Sequence, residues 1–389
     1  MTVFFNTELT QQQFLTQFWQ KKPLLIRQAW TQMDALLSAE ELAGLACEAD
    51  IESRLIQEQG ELGPWQVNDG PFTEADFAKL PASHWTLLIQ DVDKHVPELT
   101  EVMAKFDFIP DWRRDDLMVS FAPEGGSVGP HTDGYDVFLL QAQGTRRWAI
   151  SQTPVVEAEF IDGLELKILK QFDADDVWDL QPGDMLYLPP HFAHHGVALN
   201  DCMTFSIGFR APTQLELLDA FMHSLSEHEV GQQRYCDPEL KVCDDDKYID
   251  RSALRRFKQS LIKCIEDSDD VLLDAVGRLL TETKPSLELL ADELLADSDN
   301  VSLAEYFSQG KQLHRNPYVR IAWAENEESV QLFAAGETYQ ADKAVCSIMP
   351  ILTGGEPIQA RHWTQIQSAA ATNLLEELVA IGCWYWQSH

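Results

Sequence analysis

Apolar positions recur along the chain with periods that change twice. In the first segment Phe14, Phe18 and Trp19 fall on one helical face, and Pro23 ends that helix. Leu24 to Ile26 then reads as a short buried strand. Ser38 and Glu41 have the spacing of a capping box, which opens a helix through Leu42, Leu45 and Ala46. From Trp85 to Ala211 short β-rich runs take over: WTLLIQ, LMVSFA, DVFLLQA, RRWAI, DMLYLPP, HHGVAL and MTFSIGFRA. Separated by Gly, Pro and Asp, they predict an all-β sandwich or barrel. After Pro212 the pattern turns helical, with Leu254, Phe257, Leu261, Ile262 and Ile265 on one face. From Tyr318 it alternates again in YVRIAWA and SVQLFAAG, with Glu325 to Glu328 as the turn. A last helix spans Asn373 to Ile381, ahead of Trp384, Tyr385 and Trp386. We read three parts: residues 1–212, a helical segment 213–300, and a small α+β module 301–389. No internal repeat is present.

Charge narrows the partners. The 389 residues carry 29 Lys and Arg against 63 Asp and Glu, a formal charge of −34. Acidic clusters at Asp244–Asp246, Glu266–Asp270 and Asp292–Asp299 read as solvated helical faces. Such a surface repels phosphate backbones and anionic membranes and favours a cationic partner. The segment from Ser368 to Ile381 carries Glu376 and Glu377 and no Lys or Arg, which argues against direct DNA binding. No apolar run approaches the roughly 20 residues that span a bilayer, and the N-terminus has no secretory pattern. Seven scattered cysteines without a C-x-x-C spacing fit a reducing compartment. We expect a cytoplasmic protein.

The candidate chemistry begins at His131-Thr132-Asp133. On a strand, residues i and i+2 share a face, so an imidazole and a carboxylate would stand side by side. Some sixty residues on, the run from Leu186 to Gly196 ends a strand in Pro189-Pro190 and opens the next with His191, His194 and His195. Two strands of one barrel could bring three ligands to one ion. Two histidines and a carboxylate are the facial ligand set of non-haem iron(II), and zinc accepts the same donors. Of the adjacent Arg146 and Arg147 only one can face a barrel interior. A guanidinium there is costly unless it meets an anion, and its fork suits a carboxylate. The glycine-rich run EGGSVGP lacks the Lys and following helix of a phosphate loop.

At these motifs the chain resembles the JmjC, cupin-like 2-oxoglutarate oxygenases. It is most similar to the bacterial ribosomal oxygenases that hydroxylate an arginine of the sixteenth large-subunit ribosomal protein. The likeness rests on WQKKPLLIR, DWRRDDLMVSF, GGSVGPHTDGYDVFLLQ, GTRRW, PGDMLYLPP with its downstream histidine, and SIGFRAP, almost continuously over residues 14–212. Beyond that only the layout matches. The resemblance implies an α+β chain: a double-stranded β-helix (jelly-roll) barrel with flanking helices, a helical dimerisation segment and a winged-helix-like module. It also implies iron(II) held by His131, Asp133 and His194, with Arg146 on the distal carboxylate of 2-oxoglutarate and Thr204 and Ser206 hydrogen-bonding the same cosubstrate. Dioxygen would be the co-oxidant, succinate a product, and the protein a homodimer.

This chain departs from the family around the third ligand, where His191, Ala193 and His195 replace the usual glycine, proline and acidic residue. His194 keeps the family spacing from Pro190, and its strand-mates Gly196 and Ala198 are small. Tyr135, Asp136, Asp115 and Asp116 are the substrate-side candidates, because a carboxylate at the pocket mouth could grip a guanidinium. Trp112, Trp148 and Trp178 read as core. The acidic surface would steer a basic ribosomal protein toward the site. The rival readings are a same-fold oxygenase with a His, Asn or Lys target, and a non-catalytic acidic ribosome-assembly or binding module.

Overall fold

The computed structural model describes residues 2–386 except 32–35, 61–62, 239, 243–244, 246, 294–301 and 327–328. It divides into two compact units, Met1–Ala211 and Pro212–His389. Positions 244, 246 and 294–299 of the acidic runs lie outside the described residues. So do positions 327–328 of the expected turn and the boundary placed at 300.

In the first unit eleven strands are named: β1 (Leu24–Ile26), β2 (Ser53–Gly60), β3 (Gly63–Asp69), β4 (Trp85–Ile89), β5 (Arg114–Ala122), β6 (Val137–Gln143), β7 (Arg146–Pro154), β8 (Asp176–Leu180), β9 (Met185–Leu188), β10 (Phe192–Ala198) and β11 (Cys202–Phe209). They form an eight-stranded sheet, ordered β1-β9-β6-β11-β5-β4-β2-β3, and a three-stranded sheet, β10-β7-β8. Every pairing is antiparallel. Two such sheets face to face are the jelly-roll barrel. Strand β6 explains the continuous apolar run VFLLQ. Phe138 and Leu140 enter an outer aromatic core with Phe4, Phe14, Phe106, Tyr187 and Phe209. Val137 and Leu139 enter an inner core with Trp148, Ile150, Leu186 and Leu188. A strand buried on both faces shows no polar alternation.

The N-terminal helix, Gln11–Gln17, is closed by a capping box from Thr10 and Gln13, and it ends before Pro23 is reached. The Ser38–Glu41 capping box forms as the spacing requires, at the start of helix Ala39–Leu45. The hairpin β2–β3 falls outside the β region read from Trp85 onward. Its SRLIQEQ does not stand out, because it lies toward one end of the large sheet and flanks the buried Leu55 and Ile56 with polar residues.

The second unit carries helices Gln214–Ser226, Arg251–Glu266 and Asp269–Thr281, then β12 (Leu313–Arg315), β13 (Ile321–Glu325), β14 (Ser329–Ala334), β15 (Glu337–Asp342), helix Ala369–Ala380 and β16 (Trp384–Trp386). Strands β13–β15 form a meander and β12 pairs with β16. Helix Asp269–Thr281, which we expected in the dimerisation segment, packs on the meander. A Cβ at Gly277 would come 2.3 Å from the Phe333 ring, so this helix sits closer than any side chain there would allow. Thr338 donates to Asp274 Oδ1 at 2.6 Å. The C-terminal module therefore begins well before residue 301. No helix among the described residues is long and apolar enough to cross a membrane.

Candidate metal and cosubstrate site

His131 and His194 meet as an isolated antiparallel bridge. Each backbone N–H donates to the other's carbonyl at 3.0 Å. Directly opposed residues share a face, which places the two imidazole rings 4.2 Å apart. The H-x-D segment is thus not a regular strand; only its first residue pairs. Asp133 is held by a second backbone link, the His191 N–H to its carbonyl at 2.7 Å. Its carboxylate oxygens lie 4.0 Å from His131 Nε2 and 3.6 Å from His194 Nε2. One donor atom from each of the three residues falls within 4.8 Å of the others.

The hydrogen bonds also fix the tautomers. His131 Nδ1 lies 2.9 Å from the Gly129 carbonyl and His194 Nδ1 lies 3.0 Å from the Phe192 carbonyl. A carbonyl only accepts, so each Nδ1 carries the proton and each Nε2 presents a lone pair. Burial, reinforced by the neighbouring His131, pushes the pKa of His194 down to about 4, which keeps that ring neutral. These donors fit a divalent metal without rearranging a proton.

The other two histidines go elsewhere. His195 points to the opposite face of β10 and its Nε2 meets Ser127 Oγ at 3.0 Å. His191 is exposed, with φ 68°, and its carbonyl accepts from Val155.

Arg146 stands on β7 opposite Ala198, while His194 stands opposite Ile150. Arg146 and His194 therefore line one face of adjacent strands, roughly 13 Å apart along the strand direction. Gly196 lies between them, and a Cβ there would strike Trp148 at 2.6 Å and Arg146 Nε at 2.9 Å. The missing side chain keeps the space open. The Arg146 guanidinium is 3% exposed, sits 5.4 Å from the Trp148 ring and has no ion pair among the described residues. Its Nη1 donates to Ser120 Oγ at 3.3 Å and to Thr204 Oγ1 at 3.5 Å, and its Nε is unpartnered. Burial pulls its pKa down, the mark of a cation without a counter-charge. Arg147 faces outward and pairs with Asp179 at 2.7 Å. Ser206 shares the Thr204 face of β11.

On the substrate side, Tyr135 is half-exposed. The charge of Asp133, with burial and the charges of Asp116 and Asp115, raises its phenol pKa. Asp115 and Asp116 are the second and third residues of β5, and Asp116 Oδ2 accepts the Asp91 N–H at 3.2 Å. Asp136 does not belong with them. It is fully buried under the sheet, where Tyr187, Gln20 and Arg113 donate to its carboxylate at 2.6, 2.9 and 3.2 Å. Burial raises its pKa against the pull of those donors. It anchors the fold instead of gripping a substrate. Asp136→Ala should cost about 3 kcal/mol or more, by stranding Arg113 and two further donors. A denaturant midpoint checks this; an unchanged midpoint with weakened substrate binding would restore the substrate role. Trp112 is likewise not core but 43% exposed.

Similarity to known proteins agrees with this geometry. A JmjC domain model matches residues 101–217 and a ROXA-like winged-helix model residues 263–385. The chain is 30% identical to the ribosomal protein uL16 3-hydroxylase of Escherichia coli K12, over 96% of this chain and 97% of that protein. It is 34% identical to a probable ribosomal oxygenase of Haemophilus influenzae, over 85% and 82%. The chain belongs to the JmjC ribosomal oxygenase family. An X-ray structure of E. coli YcfD superposes on this oxygenase with a TM-score of 0.80 at 29% identity, covering 98% of this chain and 99% of that one. YcfD in complex with cobalt and 2-oxoglutarate superposes with a TM-score of 0.78 at the same coverage. The winged-helix match starting at residue 263 agrees with the packing of helix Asp269–Thr281 on the C-terminal meander.

Reading the sequence did not single out Ser120, which contacts Arg146, or Gln141, which contacts Thr204, while Trp148 lies in the inner core as expected. The available signal was polarity at inward positions. Ser120 interrupts LMVSFA, and Gln141 follows Val137 and Leu139 on the inner face of β6.

Proposed function

We propose that this oxygenase is an iron(II)- and 2-oxoglutarate-dependent hydroxylase acting on an arginine side chain of the large-subunit ribosomal protein uL16. The observation that carries the proposal is a buried, uncompensated guanidinium on the same barrel face as two Nε2 lone pairs and a carboxylate. His131, Asp133 and His194 would hold the metal. Iron(II), when bound, supplies the redox chemistry that couples decarboxylation of 2-oxoglutarate to succinate with insertion of one dioxygen-derived oxygen atom into a C–H bond. Arg146 receives the distal carboxylate, with Thr204 and Ser206 beside it, and the Trp148 ring excludes water from that end. Tyr135, Asp115 and Asp116 bind the substrate. The carboxylates of Asp115 and Asp116 suit a guanidinium, and the −34 formal charge steers a basic ribosomal protein in the cytoplasm. Purified protein supplied with iron(II), 2-oxoglutarate, dioxygen and uL16 should add the mass of one oxygen atom to an arginine-bearing peptide. No mass gain from protein with full metal occupancy overturns the substrate assignment.

We further propose that the protein works as a homodimer. Helix Arg251–Glu266 exposes Leu254, Phe257, Leu261, Ile262 and Ile265, and helix Gln214–Ser226 exposes Leu215, Leu218 and Met222. Stripes of this kind on a soluble protein mark an interface. Leu261, 69% exposed, is the sharpest probe. Leu261→Asp should raise the dimer dissociation constant by at least about tenfold, since burying an unpaired charge costs more than ~1.4 kcal/mol. Sedimentation velocity would read it as a monomer, and an unaltered sedimentation coefficient would remove the helix from the interface.

A further inference from the structure

Ser120, Thr204 and Gln141 sit directly opposite one another on three adjacent strands. Thr204 of β11 pairs with Ser120 of β5 on one side and with Gln141 of β6 on the other. Cross-strand partners share a face, so the three polar side chains form one row across the inner wall. Arg146 reaches that row from the opposite sheet.

Proton bookkeeping along the row leaves one solution. Gln141 is fully buried, and its Nε2 donates to the Gln143 carbonyl at 2.8 Å. A carbonyl cannot donate, so the amide cannot be flipped, and Oε1 faces Thr204. That oxygen carries no hydrogen, so the 3.1 Å contact is Thr204 Oγ1–H donating to Gln141. Thr204 has one hydroxyl proton and it is now spent. Only lone pairs remain to face Arg146. Ser120 is committed in the same way, donating to the Thr204 carbonyl at 3.4 Å. Both hydroxyls are therefore acceptors toward Arg146, and together they occupy the two N–H bonds of Nη1. The edge formed by Nε and Nη2 is left over, and Nε has no hydrogen-bond partner among the described residues. That edge is one of the two parallel N–H pairs with which arginine grips a carboxylate.

We propose that Gln141 is a positioning residue for the diacid cosubstrate: by taking the Thr204 proton it makes that hydroxyl an acceptor, which holds Nη1 and turns the Nε–Nη2 edge toward the incoming carboxylate. The inference rests on the reading of Arg146 as the carboxylate anchor. Without Gln141 the Thr204 proton is free to turn toward the guanidinium, and the arginine loses its fixed orientation. No direct contact between Gln141 and the cosubstrate is required.

The test is a double-mutant cycle read by calorimetry on the manganese(II)-loaded, non-turning-over protein with 2-oxoglutarate as titrant. Gln141→Met and Thr204→Val should each weaken binding about tenfold, the worth of one oriented hydrogen bond. The double variant should be no weaker than either, because both remove the same link. In turnover, Gln141→Met should raise KM for 2-oxoglutarate by more than it lowers kcat, and Thr204→Ser should retain parental affinity. Parental affinity in Gln141→Met, or losses that multiply to about a hundredfold in the double variant, overturn the proposal. Should Gln141→Met fail to fold, parental affinity in Thr204→Val overturns it alone. Arg146→Met separates the two levels. If it binds 2-oxoglutarate like the parent, the anchor assignment itself has failed; if it loses binding while Gln141→Met does not, only the positioning role has.

Discussion

His194→Ala is expected to loosen divalent-metal binding by more than a hundredfold and to abolish hydroxylation, while His195→Ala keeps the metal. The two residues are neighbours in sequence, but the pleat of β10 sends them to opposite faces. His194 Nε2 stands 3.6 Å from the Asp133 carboxylate, whereas His195 Nε2 is spent on Ser127 Oγ. Losing a partner that merely orients a ligand commonly costs 10–100-fold in metal affinity, so losing a ligand should cost more. Manganese(II) binding followed by electron paramagnetic resonance gives the answer without turnover. Equal affinity in His194→Ala, or loss confined to His195→Ala, would exchange their roles. The pH dependence has a defined sign. The folded-state pKa of His194, near 4, lies below the ordinary histidine value of about 6.5. The unfolded chain therefore binds the proton more readily. The contribution of this neutral imidazole is complete above about pH 6.5 and declines as pH falls toward 4. Metal binding between pH 6 and 8 is consequently not gated by protonation of His194.

The difference between these two histidines also marks how far the sequence carries. The barrel was legible because its inner strands are buried on both faces, so runs such as DVFLLQA and DMLYLPP declare themselves. The hairpin β2–β3 was not, since SRLIQEQ lies toward one end of the sheet and keeps polar residues. His131 and Asp133 could be singled out from their spacing, whereas the want of an anion for an inward charge fits Arg146 or Arg147 equally, and the choice of Arg146 came from the family resemblance. Asp136 could not be told from Asp115 and Asp116 on the same grounds. All three look like carboxylates beside a pocket, and only the tertiary contacts from Gln20, Arg113 and Tyr187 show that Asp136 belongs to the outer core. Gln141 escaped for a related reason. Its role depends on two strands far apart in sequence lying side by side, which no local pattern encodes. The close approach of helix Asp269–Thr281 to the meander uses Gly277, whose meaning appears only when Phe333 lies against it.

Arg146→Met is expected to weaken 2-oxoglutarate binding by a hundredfold or more while leaving metal affinity near the parental value. Two charge-assisted hydrogen bonds to a carboxylate are each worth about 1.5–3 kcal/mol, so their joint loss exceeds the ~2.7 kcal/mol that corresponds to a hundredfold. Methionine roughly keeps the length and fills the space beside Trp148, so the barrel wall need not collapse. The more telling consequence concerns stability. In the ligand-free protein Arg146 is a buried cation with two hydroxyl partners, no carboxylate partner among the described residues and a pKa drawn down by burial. A charge in that position works against folding. Removing it should therefore leave the melting temperature of the ligand-free protein unchanged or higher, a direction opposite to that of most core substitutions. The parent should gain stability on adding 2-oxoglutarate with manganese(II), because a ligand that binds only the folded state stabilises by mass action; the variant should gain little. A variant that melts well below the parent without ligand would mean that Arg146 is chiefly a packing residue. One that is fully stabilised by 2-oxoglutarate would place the carboxylate elsewhere in the barrel. The combination expected here, a more stable but unresponsive protein, arises only if the fold tolerates an unpaired charge because a diacid is there to meet it.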